Sequence, residues 1–522
     1  MSAFPKIPVF LKPFMPAVVA VIGSIPWLRT KASIWAINRA AYSTTLRPRA
    51  LTLLADYTSW RSLTDREYSA RHLPPATPEY MAGLPSESEV LKLFRRTEEK
   101  KDTDTSVMFM FFAQWFVDSF LATDWDDFRK NHSNHEIDLC EIYGLTKAQT
   151  DMLRAKHGGR LKVQNINGEE YPPYYFESKD GTLVVKQEFD GLHDAATMTR
   201  ILTGVSYDRK KKFYAVGLAH GNSTLGNSIM NIVWVREHNR LAAMLENKHP
   251  GWDDERLFET ARNIAIVLAI KLAVEEYIKH IAPWDFPIKM VDLIADRERW
   301  NRTNWCAVEF NLLYRWHMLA PETVGAGDTA LTPADFLTNN KLIEDEGIES
   351  LIAWCSRARA GKIGLFNTPT YLMIPSPALN GFSVESRTIR LSREAQLKSY
   401  NDYRVAYSMK PFTKWEQLNK DPKVIEPLKE LYGDIKNLEW YVGIFAEDYP
   451  RELMMGDLLT TMVANDAFTQ LLSNPLLAAN VYNKDTFTQE GLDEIENTKC
   501  FADIVKRNAK DPSRVYCNFA VR

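Results

Sequence analysis

The chain has 522 residues, 45% of them hydrophobic and 25% charged, with a net charge of −3. That is the balance of a folded protein with room for one large catalytic domain or two to three smaller units, and it gives no basis for nucleic-acid binding. Its five cysteines (Cys140, Cys306, Cys355, Cys500 and Cys517) are odd in number, scattered and without CxxC spacing, which argues against a disulfide scaffold or zinc site and for a reducing compartment.

The first 55 residues carry seven basic side chains (Lys6, Lys12, Arg29, Lys31, Arg39, Arg47 and Arg49) and no Asp or Glu. Within them PFMPAVVAVIGSIPWL (Pro13 to Leu28) is apolar but broken by Pro16, Gly23 and Pro26, short of the roughly 20 clean residues that a spanning helix needs. Basic side chains beside apolar and Trp residues suit a helix lying in the membrane interface. Three competing readings are a secretory signal, a transit peptide and a segment packed on the body; no convincing small-residue cleavage site follows the apolar run. The expected organisation is an interface segment over 1–75 and a catalytic body over 76–522, peripherally attached on the cytoplasmic side. LPPATPEYMAGLP (Leu73–Pro85) reads as the connector between them.

Along the body, helical spacing predicts helices over 87–99, 106–122, 227–246, 254–281, 309–319, 426–431 and 457–472. Thr332-Pro333-Ala334-Asp335 is a helix-start pattern, and YPPYYFESKDGTLVV (171–185) reads as a loop with a short hairpin. Alternating strand patterns are few, so the fold class is mainly α.

Two stretches carry chemistry. In FFAQWFVDSF (111–120) Gln114 and Asp118 interrupt an apolar helix four residues apart, hence on one face. Burying an amide and a carboxyl there costs several kcal/mol unless each finds a partner. In VEFNLLYRWHMLAPE (308–322) Tyr314 and His317 lie three apart, on one side of the expected helix. A lone apolar-surrounded His is more often a satisfied core imidazole than a ligand. There is no HExxH and no compact carboxylate cluster, so haem, which needs one proximal His, is the metal reading that survives.

These stretches resemble the cyclooxygenase and fatty-acid dioxygenase branch of the haem peroxidases. FFAQWFVDSF is similar to that family's distal helix, EFNLLYRWHMLAPE to the helix bearing its radical tyrosine and proximal histidine, and VWVREHNRLAAML (233–245) to its Arg-Glu-His-Asn helix. NGEEYPPYY, IDLCEIYGL, LYGDIKNLEWY and SIPWLRTKAS extend the likeness from about residue 8 to about residue 500. The resemblance implies a cyclooxygenase-like fold around haem b with an N-terminal interfacial helical segment. It implies His317 as the iron ligand, Tyr314 as the tyrosyl radical and Tyr441 as a neighbour of the proximal histidine. A homodimer is implied by analogy alone.

The chain also departs from that pattern. Asp118 stands where the family has its distal histidine, and Gln114 keeps the distal glutamine; an aspartate is a weaker proton donor near neutral pH, so weak peroxidase turnover is expected. No histidine lies between His72 and His132 in the sequence to substitute. Arg39, once a single gap is allowed, takes the place of the arginine that binds the fatty-acid carboxylate, and Trp284 that of its partner tyrosine. Thr469 or Ala467 takes the place of the channel serine, with Thr469 slightly preferred. The YRWH order is closer to dioxygenases that make simple hydroperoxides. The expectation is a haem-dependent fatty-acid dioxygenase using O2, a peroxide activator and Tyr314. Alternatives are a haem peroxidase with Asp118 as acid–base group, a membrane-associated haem or lipid binder without turnover, and a haem-free structural protein.

Overall fold

The structure, a computed structural model, describes residues 7–46, 52–291, 294–325 and 330–521. Lys6, Arg47 and Arg49 of the basic N-terminal set lie outside the described residues. Helices dominate: α1 (Met15–Ser24), α2 (Pro26–Ala41), α3 (Glu87–Phe94), α4 (Val107–Val117), α5 (Leu225–Lys248), α6 (Asp254–Leu272), α7 (Val308–Leu313), α8 (Val384–Glu394), α9 (Trp440–Ala446) and α10 (Asp457–Leu472) position the site, with shorter helices between them. Strands among the described residues form four two-stranded antiparallel pairs. One is the hairpin Phe176–Lys179 with Thr182–Val185, inside the segment expected to hold it.

The core is built around α4, α5 and α10. α4 begins where the Ser106 hydroxyl accepts from the Phe109 N–H, and α5 where the Thr224 hydroxyl accepts from the Asn227 N–H; both satisfy donors left over in a first turn. α4 and α5 touch closely. A Cβ on Gly226 would sit 2.2 Å from the Phe111 ring, Trp115 stacks on Trp234 at 5.5 Å between centroids, and Trp115 donates to the Asn231 amide oxygen at 2.8 Å. α10 is buried over nearly its whole length.

The Arg-Glu-His-Asn stretch of α5 is structural. Arg236 pairs with Glu169, Glu237 with Arg240 and Arg507, His238 with Tyr143 and the Gly159 carbonyl, and Asn239 with both backbone groups of Leu161. Buried polar groups satisfied in this way fix the loops that they hold.

Several boundaries differ from expectation. The helix expected over 87–99 ends at Phe94, because Arg95 turns extended and Arg96 reaches the carbonyls of Ala320 and Asn367. The helix over 254–281 is continuous but passes through a π turn at Ala273–Tyr277. The helix expected over 309–319 ends at Leu313; Trp316 is non-helical, and a 3-10 turn follows over His317–Leu319. Tyr314 and His317 therefore do not share a helix face. Burial of Trp316 and the bond that His317 makes to α8 override local propensity. A helix does start at Pro333 as expected, with the Asp335 carboxylate accepting from the Thr332 N–H and hydroxyl at 2.8 and 2.7 Å.

At the N-terminus, α1 and α2 meet at 113°, and no single described helix is long and apolar enough to cross a membrane. α2 packs on α10, where Asn465 donates to the carbonyls of Ala40 and Ala41. Leu11, Phe14, Val18, Val21, Trp27 and Trp35 of this region remain exposed.

Candidate active site

His317 is anchored from behind. Its Nδ1 lies 2.9 Å from Glu385 on α8. Glu385 is fully buried and also accepts from the Thr368 hydroxyl at 3.0 Å and the Tyr441 hydroxyl at 2.9 Å. An acceptor already serving two donors fixes Nδ1 as the protonated nitrogen, which leaves the Nε2 lone pair available. Tyr441 thus reaches His317 through Glu385. Burial and the Glu385 charge push its phenol well above the usual tyrosine range.

Tyr314 lies at the end of α7. Its ring is 5.1 Å from Trp316 and 5.2 Å from Phe310, and it lines a small, largely apolar cavity with Phe116, Phe120, Tyr277, Ala467 and Leu471 among its neighbours. Burial, then the charge of Asp466, push the Tyr314 phenol up. Tyr277, on the π turn, was not singled out by sequence reasoning. It shares the cavity, feels the Tyr314 phenol and stacks toward Trp316 at 6.4 Å. π turns inside long helices recur at functional sites, and that was the available signal.

The two sequence-predicted polar residues of α4 face one way. Gln114 is exposed, and Met110, Val117 and Asp118 are half-buried, while the rest of the helix is buried. Positions 110, 114, 117 and 118 form one helical stripe. Thr224 links Gln114 to Asn227, Asn227 reaches Asp118 at 3.4 Å, and Asp118 pairs with His220 at 3.0 Å. His220 was missed, because it is remote in sequence and arrives on the turn before α5. Arg315 joins the two sides electrically. It is drawn down by burial against the opposing pull of Tyr441, Asp118 and Glu385, and it donates to Asn311 at 2.6 and 3.0 Å.

The expected substrate residues are placed apart from this core. Arg39 lies on α2 over the Trp35 ring at 5.7 Å, with its Nε buried and unpartnered. Trp284 sits half-buried in a turn with φ of 56°. The structure shows no bond between these two among the described residues. Thr469 is not on the cavity wall: it is fully buried, and its hydroxyl bonds the carbonyls of Asn465 and Asp466 on its own helix. Ala467 lines the cavity in its place, because a two-residue change of register on α10 turns the side chain by about 200°.

The sequence model of the animal haem peroxidases matches residues 128–519. This chain belongs to the animal haem peroxidase family. It is 31% identical over 468 residues to prostaglandin G/H synthase 1 of Rattus norvegicus, covering 87% of this chain and 73% of that one. Its fold is similar to that of a fatty acid alpha-dioxygenase of Arabidopsis thaliana, with TM-score 0.72 at 16% identity, covering 98% of this chain and 93% of that one. It is similar to a fatty acid alpha-dioxygenase of Oryza sativa solved with palmitic acid, with TM-score 0.72 at 16% identity, covering 99% and 97%. The protein is an oxidoreductase with haem as its cofactor. The residues fit that group: a buried carboxylate fixes His317 with one ring nitrogen that could take iron, and Gln114 and Asp118 present polar groups on α4.

Proposed function

We propose that this haem peroxidase family member is a fatty-acid dioxygenase in which Tyr314 is the hydrogen-abstracting radical. The observation that carries the reading is the opening of Tyr314 on an apolar cavity while His317, three residues on, is held by Glu385. The fatty-acid chemistry named for the relatives supports it. Haem at His317, primed by a trace of peroxide, supplies the oxidising power that the phenol needs.

The chain's own residues do the rest. Phe116, Phe120, Phe310 and Leu471 seat an acyl segment and keep water from the phenol. The cavity beside Tyr314 is small, which favours a simple hydroperoxide over a bulky folded product. The Tyr314 oxygen radical takes a hydrogen atom from the carbon held beside it. O2 adds to that carbon, and the peroxyl oxygen takes the hydrogen back from Tyr314, so that fatty acid plus O2 becomes a hydroperoxide. Positioning dominates such a cycle. Arg39, buried at Nε without a partner, is proposed to meet the carboxylate beside Trp284.

The test is oxygen uptake by haem-loaded protein with a panel of fatty acids and a trace of peroxide. Uptake lost by about 1,000-fold or more in Tyr314→Phe, with the haem spectrum kept, is expected; no uptake with any fatty acid, despite bound haem, would sink the reading. The exposed apolar side chains of residues 11–35, including Trp27 and Trp35, are proposed to rest in a membrane interface. Sedimentation with anionic vesicles should weaken when both tryptophans become Ser, and equal sedimentation would refute this contact.

A further inference from the structure

The distal position that carries Asp118 has a second occupant from elsewhere in the chain. His220 Nε2 lies 3.0 Å from the Asp118 carboxylate, and the His220 side chain is 32% exposed, beside the open stripe that carries Gln114 one turn away. We propose that His220 is the distal proton-transfer residue of this protein, with Asp118 as the group that orients it.

The segment bearing His220 is built to hold it. A Cβ on Gly217 would sit 2.0 Å from the Cys140 carbonyl oxygen, and one on Gly221 would sit 2.7 Å from Val216. The Gly217 N–H donates to the Glu141 carbonyl at 2.8 Å, and the Asn231 amide donates to the Gly221 carbonyl at 2.9 Å. His220 is thus pinned on both sides by backbone contacts. Asp118 is pinned by its place at the end of α4 and by Asn227.

A carboxylate on Nε2 selects the tautomer with the proton on Nε2 and leaves Nδ1 as the base. It also stabilises the imidazolium formed when Nδ1 takes a proton. The titratable groups facing His220 are Asp118 from α4 and His193 from the segment before the helix at 195–201, with Arg315 interacting with Asp118. Burial disfavours the charged ring, but the charge and hydrogen bond of Asp118 outweigh it and raise its value above that of a free histidine. His193 is driven to about 4 by burial and by His220, so it remains neutral and does not compete.

The proton step balances simply. A hydroperoxide, or another weak acid entering on this face, gives its proton to Nδ1 and becomes an anion beside an imidazolium paired with Asp118. If the O–O bond then breaks, that proton goes to the departing oxygen to form an alcohol, and the remaining oxygen goes to haem held at His317, which supplies the two electrons. The inference rests on the haem seat at His317, not on the fatty-acid reading.

The test uses haem-loaded protein and hydrogen cyanide, which must surrender a proton to bind as an anion. In the wild type the association rate should fall as pH drops through the protonation of His220, with a midpoint above about 6.5. His220→Gln should lower the rate by about 100-fold and abolish the inflection. Asp118→Asn should keep the inflection but move it to lower pH. Nitrogen-15 NMR of labelled histidine should show the same two midpoints for the His220 ring, a readout independent of turnover. His220→Gln retaining the wild-type rate and inflection, while Asp118→Asn loses both, would overturn the proposal in favour of Asp118 alone. Protein that passes this test yet takes up no oxygen with any fatty acid would retain His220 and lose the dioxygenase reading.

Discussion

The two faces of the site are built on different principles. On the proximal side His317, Glu385, Thr368 and Tyr441 form a closed set in which a fully buried carboxylate serves three donors. On the distal side Gln114, Thr224, Asn227, Asp118 and His220 form a chain that is half open. Rigidity suits a residue that must hold a metal in one place. Openness suits residues that meet small molecules arriving and leaving, and it lets one task be divided between Asp118 and a histidine from another segment. Arg315, felt by Asp118 on one side and by Glu385 and Tyr441 on the other, is the electrical link between the two.

The larger break in this comparison is expected at Glu385. A carboxylate only accepts, so all three donors are served. Glu385→Gln keeps one accepting oxygen but turns an amide NH2 toward the Tyr441 hydroxyl or toward Thr368 and His317. The clash of donors costs the His317 ring its fixed orientation. Haem affinity should fall by about 10- to 100-fold, measured by the Soret titration of haem-free protein. The distal residues should be unaffected by this change, so cyanide association by the fraction that does bind haem should keep its pH inflection. Unchanged affinity would mean that Glu385 is a core carboxylate with no bearing on the iron.

Much of this architecture is legible in the sequence where one segment dictates it alone. The 3.6-residue spacing of 457–472 gives α10 at its observed bounds, and Thr332-Pro333-Ala334-Asp335 starts a helix as read. The stripe of Gln114 and Asp118 follows from spacing as well. What fails depends on distant partners. The helix over 309–319 breaks because Trp316 is drawn between Tyr277 and Tyr314 and His317 is drawn to α8. Glu385 sits in an ordinary amphipathic helix and gives no local sign of its role. His220 is invisible beside Asp118 because a turn pinned at Gly217 and Gly221, not sequence proximity, brings it there. Thr469 and Ala467 could not be told apart in sequence because α10 is buried on nearly every side, so two registers look alike until a cavity wall, here Ala467, distinguishes them.

A smaller effect sharpens the comparison further, because the open face should respond to pH in its stability. Folding raises the His220 value against the opposing effect of burial, through the charge and hydrogen bond of Asp118. Between the unfolded value of about 6.5 and the raised folded value, the native state holds a proton that the unfolded chain has released, so stability falls as pH rises through that window. The contribution of the pair is therefore complete below about pH 6.5 and lost above the folded value. With side chains 32% and 18% exposed, it should amount to about 1 kcal/mol at most. Thermal unfolding of wild type and His220→Gln should show a gap at pH 6 that closes toward pH 9. A gap constant with pH would mean that the ring contributes by packing alone, and that the 3.0 Å contact with Asp118 carries no charge.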